Sequence, residues 1–202
     1  FPVLRQLRKE FRNPLHWSMN TRIVLVATLV LLTLGTGFTV VVEWNNPGTL
    51  GPLDPASRML AGFFHSVQAR TAGFNSVDTS LMHDETWLVT DVLMFIGGGP
   101  AGTAGGIKVT TFAVLLFIMW TEFRGGTAVN VFGKRLSRAV HREAITVVIV
   151  ALAAVMSAVI AILAMTDLDL DRVLFEVVSA FGTVGMSTGI TTDLPAAAQP
   201  IL

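Results

Sequence analysis

The chain has 202 residues, of which 52 % are apolar and 14 % charged, and its fourteen cationic and fourteen acidic side chains cancel. Soluble domains carry about a quarter charged residues, so the deficit points to lipid as the solvent, and zero net charge offers no basic face for nucleic acid. Cysteine is absent, which excludes disulfides, thiolate metal sites and a cysteine nucleophile, and the four histidines (His16, His65, His83, His141) have no ligand-like spacing.

Residues 1–22 hold Arg5, Arg8, Lys9, Arg12 and Arg22, begin with Phe1 and lack the order of a signal peptide. They are expected to form a cytoplasmic segment in a piece of a longer polypeptide. Residues 23–42 follow without a charge; at 1.5 Å per residue they reach about 30 Å, the thickness of the hydrocarbon core. Next comes a segment containing Glu43, Asp54, Asp78, Asp84 and Glu85. Within it, 55–69 is a short apolar helix, started by the Asp54-Pro55 cap signal and too short to cross.

A second apolar stretch, 87–120, is too long for one straight span and is interrupted by a glycine-rich run, 97–106. Such a run cannot hold a helix, because each glycine is less favourable than alanine there by about 1 kcal/mol. Residues 121–143 carry Arg124, Lys134, Arg135, Arg138 and Arg142 and read as a cytoplasmic linker. A third uncharged stretch spans 144–165, followed by Asp167, Asp169 and Asp171 and a second short helix over 171–181, capped by Asp169 or Asp171. With both basic segments inside and both acidic ones outside, the three spans run out, in and out. Trp17, Trp44, Trp87 and Trp120 fit anchors near span ends. The paired acids Asp84-Glu85 and the Asp167-Asp169-Asp171 cluster read as solvated faces, and no enzyme constellation is present.

The two short helices are followed by Arg70-Thr71-Ala72-Gly73-Phe74-Asn75 and Gly182-Thr183-Val184-Gly185-Met186-Ser187, and aligning Thr71 with Thr183 brings Phe63 onto Phe175 without a gap. The chain thus repeats a unit of span, short helix and Thr-x-Gly loop: 23–120 is a complete repeat, closed by the interrupted span, and 144–202 an incomplete one. The expected architecture is an all-α integral membrane protein of span–pore-helix–span units with re-entrant loops. A potassium ion must be recoordinated by oxygens as it sheds water. Gly73 and Gly185 allow the left-handed backbone that aims successive carbonyls one way, and the Thr71 and Thr183 hydroxyls can add oxygens. Irregular backbone at membrane depth is tolerated where it lines a water-filled cavity or is buried in protein.

Gly97, Gly99 and Gly102 formally match a dinucleotide fingerprint, but no strand precedes them, and Lys108 follows Ile107 rather than glycine, so a phosphate loop fails too. Two readings of the run stay open: close helix packing through small residues, or a flexible intramembrane loop. Lys108 either holds that loop or snorkels to the cytoplasmic surface. Arg70 and Glu176 flank the loops in a structural role, bonding pore-loop backbone.

These strings, together with Gly97-Gly98-Gly99-Pro100-Ala101-Gly102-Thr103-Ala104-Gly105-Gly106-Ile107-Lys108 and Ser187-Thr188-Gly189, resemble the Trk/Ktr superfamily of cation transporters, and within it the third and fourth pore repeats of the membrane subunit of bacterial Ktr-type systems. The resemblance implies four such repeats around one pore, a homodimer in the plasma membrane, and a cytosolic ring of nucleotide-binding regulatory subunits. Residue by residue, it implies a potassium-binding filter of Thr71, Ala72, Gly73 and Phe74 with Thr183, Val184, Gly185 and Met186. A gate loop would comprise Gly97, Gly98, Gly99, Gly102, Gly105, Gly106 and Lys108. Potassium is then the transported ligand, with no cofactor in this chain. A secondary carrier with its substrate site at the broken span, or a non-transporting scaffold or sensor, are the alternative functions. Against the family pattern the chain lacks the first two repeats and the last span. Each loop also keeps one glycine where tetrameric potassium channels have Thr-Val-Gly-Tyr-Gly, which predicts modest discrimination against sodium.

Overall fold

The computed structural model describes residues 17–99, 104–126, 129–131, 134–195 and 198–201. Helix α1 is Met19–Glu43, started by Ser18, whose hydroxyl accepts the Thr21 N–H at 3.2 Å. Helix α2, Pro55–Gln68, has proline in its first turn and Asp54 as its cap. The Ser57 hydroxyl and then its N–H hold the Asp54 carboxyl below its usual range. Helices α3 (Asp84–Phe95) and α4 (Val109–Phe123) flank the glycine-rich break, α5 is Arg138–Leu163 and α6 is Leu170–Phe181. Asp169 rather than Asp171 occupies the cap position of α6, without a side-chain cap bond.

The helices α1 and α5 are long and apolar enough to cross a membrane. Their bounds lie within a few residues of the expected spans at most ends; α5 starts six residues early because Ser137 caps it, accepting the Val140 N–H at 3.4 Å. Among the described residues the helices are accompanied by a ladder of two residues a strand, β1 (Asn130–Val131) against β2 (Lys134–Arg135), inside the basic linker.

Helix α2 lies on α1, α3 lies on α6, and α5 covers another side of α6. The α1–α2 contact is close: a β-carbon on Gly62 would come within 2.4 Å of Val40 Cγ2, and Ser66 donates its hydroxyl to the Leu32 carbonyl at 3.1 Å. Small residues let two backbones approach, which replaces the hydrophobic drive that lipid removes. One apolar core joins α3, α5 and α6 through Leu93, Met94, Val155, Val159, Ile162, Val173 and Phe175; a second, smaller one joins Ile23, Ala113, Val114 and Ala144.

Two residues behave differently from their sequence reading. Glu43, counted among the charges of the acidic segment, is the last residue of α1 and is fully buried. It accepts from Asn46 Nδ2, Thr49 Oγ1 and Thr86 Oγ1, each at 2.6 Å, and from the His83 N–H at 2.9 Å. A buried carboxylate is tolerable when its oxygens are saturated in this way, and here it ties the end of α1 to the start of α3. Trp87, expected as an interfacial anchor, is 4 % exposed. Its Nε1–H donates to the Thr79 carbonyl at 2.7 Å and the Arg172 guanidinium lies 5.7 Å from its ring. Trp120 does stay exposed, under Arg124 at 4.5 Å.

Candidate functional site

Each short helix ends in a loop with the same backbone turn. Thr71 and Gly73 have φ of +74° and +69°, Thr183 and Gly185 of +53° and +86°, while Ala72 and Val184 between them stay on the negative side. Threonine disfavours positive φ strongly, so its appearance at matched places in both loops marks a backbone held there by its surroundings. Alternation of hand along a chain turns successive peptide planes the same way, so that a row of like groups faces one side.

The two loops meet. A β-carbon built on Gly73 would lie 2.2 Å from the Val184 carbonyl oxygen, so that oxygen is directed at the first loop, and no side chain fits between them. Gly185 has open space around its Cα. In the second loop the side chains of Val184 and Met186 are buried while Thr183 and Gly185 are exposed; in the first, Phe74 is 73 % exposed.

Both loops are tied to their helix ends by main-chain bonds, in the second from the Thr183 and Val184 N–H groups to the Ala180 and Ser179 carbonyls at 3.0 and 2.9 Å, and each adds bonds of its own. In the first, the Gln68 carbonyl at the end of α2 accepts the Ala72 and Gly73 N–H groups at 3.1 and 3.4 Å. In the second, the buried Ser179 hydroxyl donates to the Met186 carbonyl at 2.6 Å, which turns that oxygen back into the protein. Glu176 accepts from Ser187 Oγ at 2.6 Å, from the Thr188 N–H at 2.8 Å and from Thr191 Oγ1 at 2.8 Å, fixing the chain beyond the loop. Arg70 reaches the Thr28 and Gly97 carbonyls through long contacts of 3.4 and 3.5 Å.

The glycine-rich break is non-helical through its described residues. Its neck is closed by a parallel bridge between Ile96 and Ile107, with the Ile107 N–H donating to Phe95 O at 2.9 Å and the Val109 N–H to Gly98 O at 3.2 Å. Parallel pairing means that the chain leaves the break in the direction in which it entered. The neck sits against the second loop: the Gly105 N–H donates to Thr183 Oγ1 at 2.8 Å and the Gly106 N–H to the Phe181 carbonyl at 3.3 Å. A β-carbon on Gly105 would fall 2.8 Å from the Gly182 backbone, so glycine is required by contact there. Phe95 and Phe181, which end α3 and α6, stack with ring centroids 5.7 Å apart. Lys108 donates its ammonium to the Ala104 carbonyl, inside the break. Gly97, Gly98 and Gly99 lie in the described residues; Gly102 lies outside them.

The structure therefore brings together the loops at 71–74 and 183–186 and the neck formed by Gly97, Gly105 and Gly106. Sequence reasoning missed Ser179 and Gln68, because a single polar residue in a short amphipathic helix carries no signal of which loop it faces.

Residues 12–202 match the TrkH family, described as cation transport proteins. The chain is 37 % identical to the Ktr system potassium uptake protein B of Vibrio alginolyticus over 96 % of its own length and 43 % of that protein. It is 36 % identical to the Ktr system potassium uptake protein B of Bacillus subtilis, over 100 % of its length and 45 % of that protein. The potassium/sodium uptake protein NtpJ of Enterococcus hirae is 35 % identical over 88 % of this chain and 40 % of its own length. The chain thus spans less than half the length of these relatives.

Proposed function

This chain belongs to the TrkH family of cation transport proteins, and from that premise we infer that it forms part of a potassium-translocating pore in the plasma membrane, with the loops at 71–74 and 183–186 as two segments of its filter. The observation that carries the reading is the paired alternation of hand at Thr71–Gly73 and Thr183–Gly185, in loops that touch through the Val184 carbonyl and Gly73. A row of carbonyls facing one side is what replaces the hydration shell of an alkali cation. Ala72, Phe74, Val184 and Met186 complete the two segments. Met186 serves through its backbone fold rather than its carbonyl, which Ser179 occupies.

On this reading α1, α2 and the α3–α4 pair form one span–pore-helix–span unit, and α5 with α6 opens another. The parallel neck supports taking α3 and α4 as two halves of one interrupted crossing. The break from Gly97 to Gly106, with Lys108, is the gate: it is nearly free of side chains, and it leans on Thr183 and Phe181 at the foot of the second loop. The basic segments 1–22 and 121–143 face the cytoplasm and receive nucleotide-binding regulatory subunits, in a homodimer of the complete protein. Two relatives are named as components of a Ktr system.

Rubidium uptake by the complete protein in liposomes tests the function. Flux that potassium competes away is the expected result; no flux under any gating condition would remove the transport reading.

A further inference from the structure

The first loop rests on a buried polar chain that the second loop lacks. His65 of α2 and Gln68, one turn on, are each 1 % exposed. His65 Nε2 lies 3.0 Å from Thr90 Oγ1 on α3, and its Nδ1 lies 3.2 Å from Gln68 Nε2. Thr90 gives its one hydroxyl proton to the Thr86 carbonyl at 2.7 Å. It can therefore only accept from the ring, which places the imidazole proton on Nε2 and leaves Nδ1 to accept from the Gln68 amide. Gln68 in turn offers its main-chain oxygen to the N–H groups of Ala72 and Gly73. Span α3, the end of α2 and the start of the loop are thus joined by directional bonds away from water, where such bonds are stiff and expensive to leave unmade.

Aligned on Thr71 and Thr183, the places of His65 and Gln68 are taken by Val177 and Ala180. There the Ala180 and Ser179 carbonyls accept the Thr183 and Val184 N–H groups at 3.0 and 2.9 Å, without a buried side-chain link to a neighbouring helix behind them among the described residues. The Ser179 hydroxyl and Glu176 hold the chain beyond the turn.

We propose that His65 is a positioning residue for the first loop, which joins Thr90 to Gln68, fixes the direction of the Ala72 and Gly73 backbone, and so sets the preference for potassium over sodium. The inference rests on the reading of 71–74 as a filter segment. How firmly the carbonyls are held is one determinant of which alkali cation they suit.

The test is rubidium uptake by the complete protein in liposomes, with potassium or sodium as competitor, for His65→Leu, Thr90→Val, Thr90→Ser and Gly73→Ala. His65→Leu and Thr90→Val should each lower the potassium-over-sodium preference by about fivefold, the worth of one buried hydrogen bond. Thr90→Ser keeps the hydroxyl and should restore the preference. Should His65→Leu fail to assemble, the Thr90 pair decides alone. Slower uptake or a lower melting temperature with the preference unchanged in both would make the chain structural only and overturn the inference. An unchanged preference in Gly73→Ala would sink the filter reading itself; a shift there, without one in the His65 and Thr90 variants, would sink this inference alone.

Discussion

At Gly73 two independent constraints fall on one residue. Its φ of +69° disfavours any side chain, and the Val184 carbonyl occupies the place where a β-carbon would go. Gly185 carries only the first constraint, since the space around it is open. Left-handed backbone alone is unfavourable for an L-residue by about 1–2 kcal/mol, whereas a 2.2 Å contact with backbone forces one loop to move. Gly73→Ser should therefore weaken potassium competition or admit sodium, and Gly185→Ala should do so to a clearly smaller degree, both read as competition curves for rubidium uptake. Equal effects at the two glycines would contradict the interlocked loops. The thresholds at which sequence could see these residues also differ. Thr71 and Thr183 were legible as a repeated string, but their positive φ was not, because threonine gives no hint that its surroundings will hold it there.

Among the elements, the helices were the most legible part of the chain. Uncharged length gave α1 and α5, and Asp54-Pro55 gave the start of α2 to the residue. Glycine content gave the break, since it acts locally through backbone freedom. What the break touches was not legible: the neck meets Thr183 and Phe181, and Thr183 lies 78 residues beyond Gly105. Glu43 and Trp87 were misplaced for the same reason, because burial depends on which element arrives opposite, and single charged or aromatic residues carry no record of that. The neck bonds also sharpen the gating expectation. If the break obstructs the pore, removing residues 98–104 should raise rubidium flux and weaken its dependence on the cytosolic partner, measured on purified, assembled protein with and without that partner. Flux still low and still fully partner-dependent would refute the gate and favour a packing device.

For the whole molecule, the two units differ in how their short helices are covered. Helix α6 is packed by α3 and α5, and its Phe175, Glu176 and Ser179 are buried; the matching residues of α2, Phe63, Phe64 and Val67, stay exposed. On the proposed repeat, a span of a preceding unit covers this face of α2 as α3 covers α6, and the relatives are more than twice the length of the chain. On the proposed function the touching loops coordinate a dehydrated alkali cation, which anomalous diffraction from crystals of the complete protein grown in rubidium or thallium salts would locate. Peaks on the pore axis beside the backbone oxygens of Thr71–Gly73 and Thr183–Val184, lost when sodium replaces the heavy cation, are the expected result. Ordered loops with no peak between them, or peaks confined to the α3–α4 break, would contradict it.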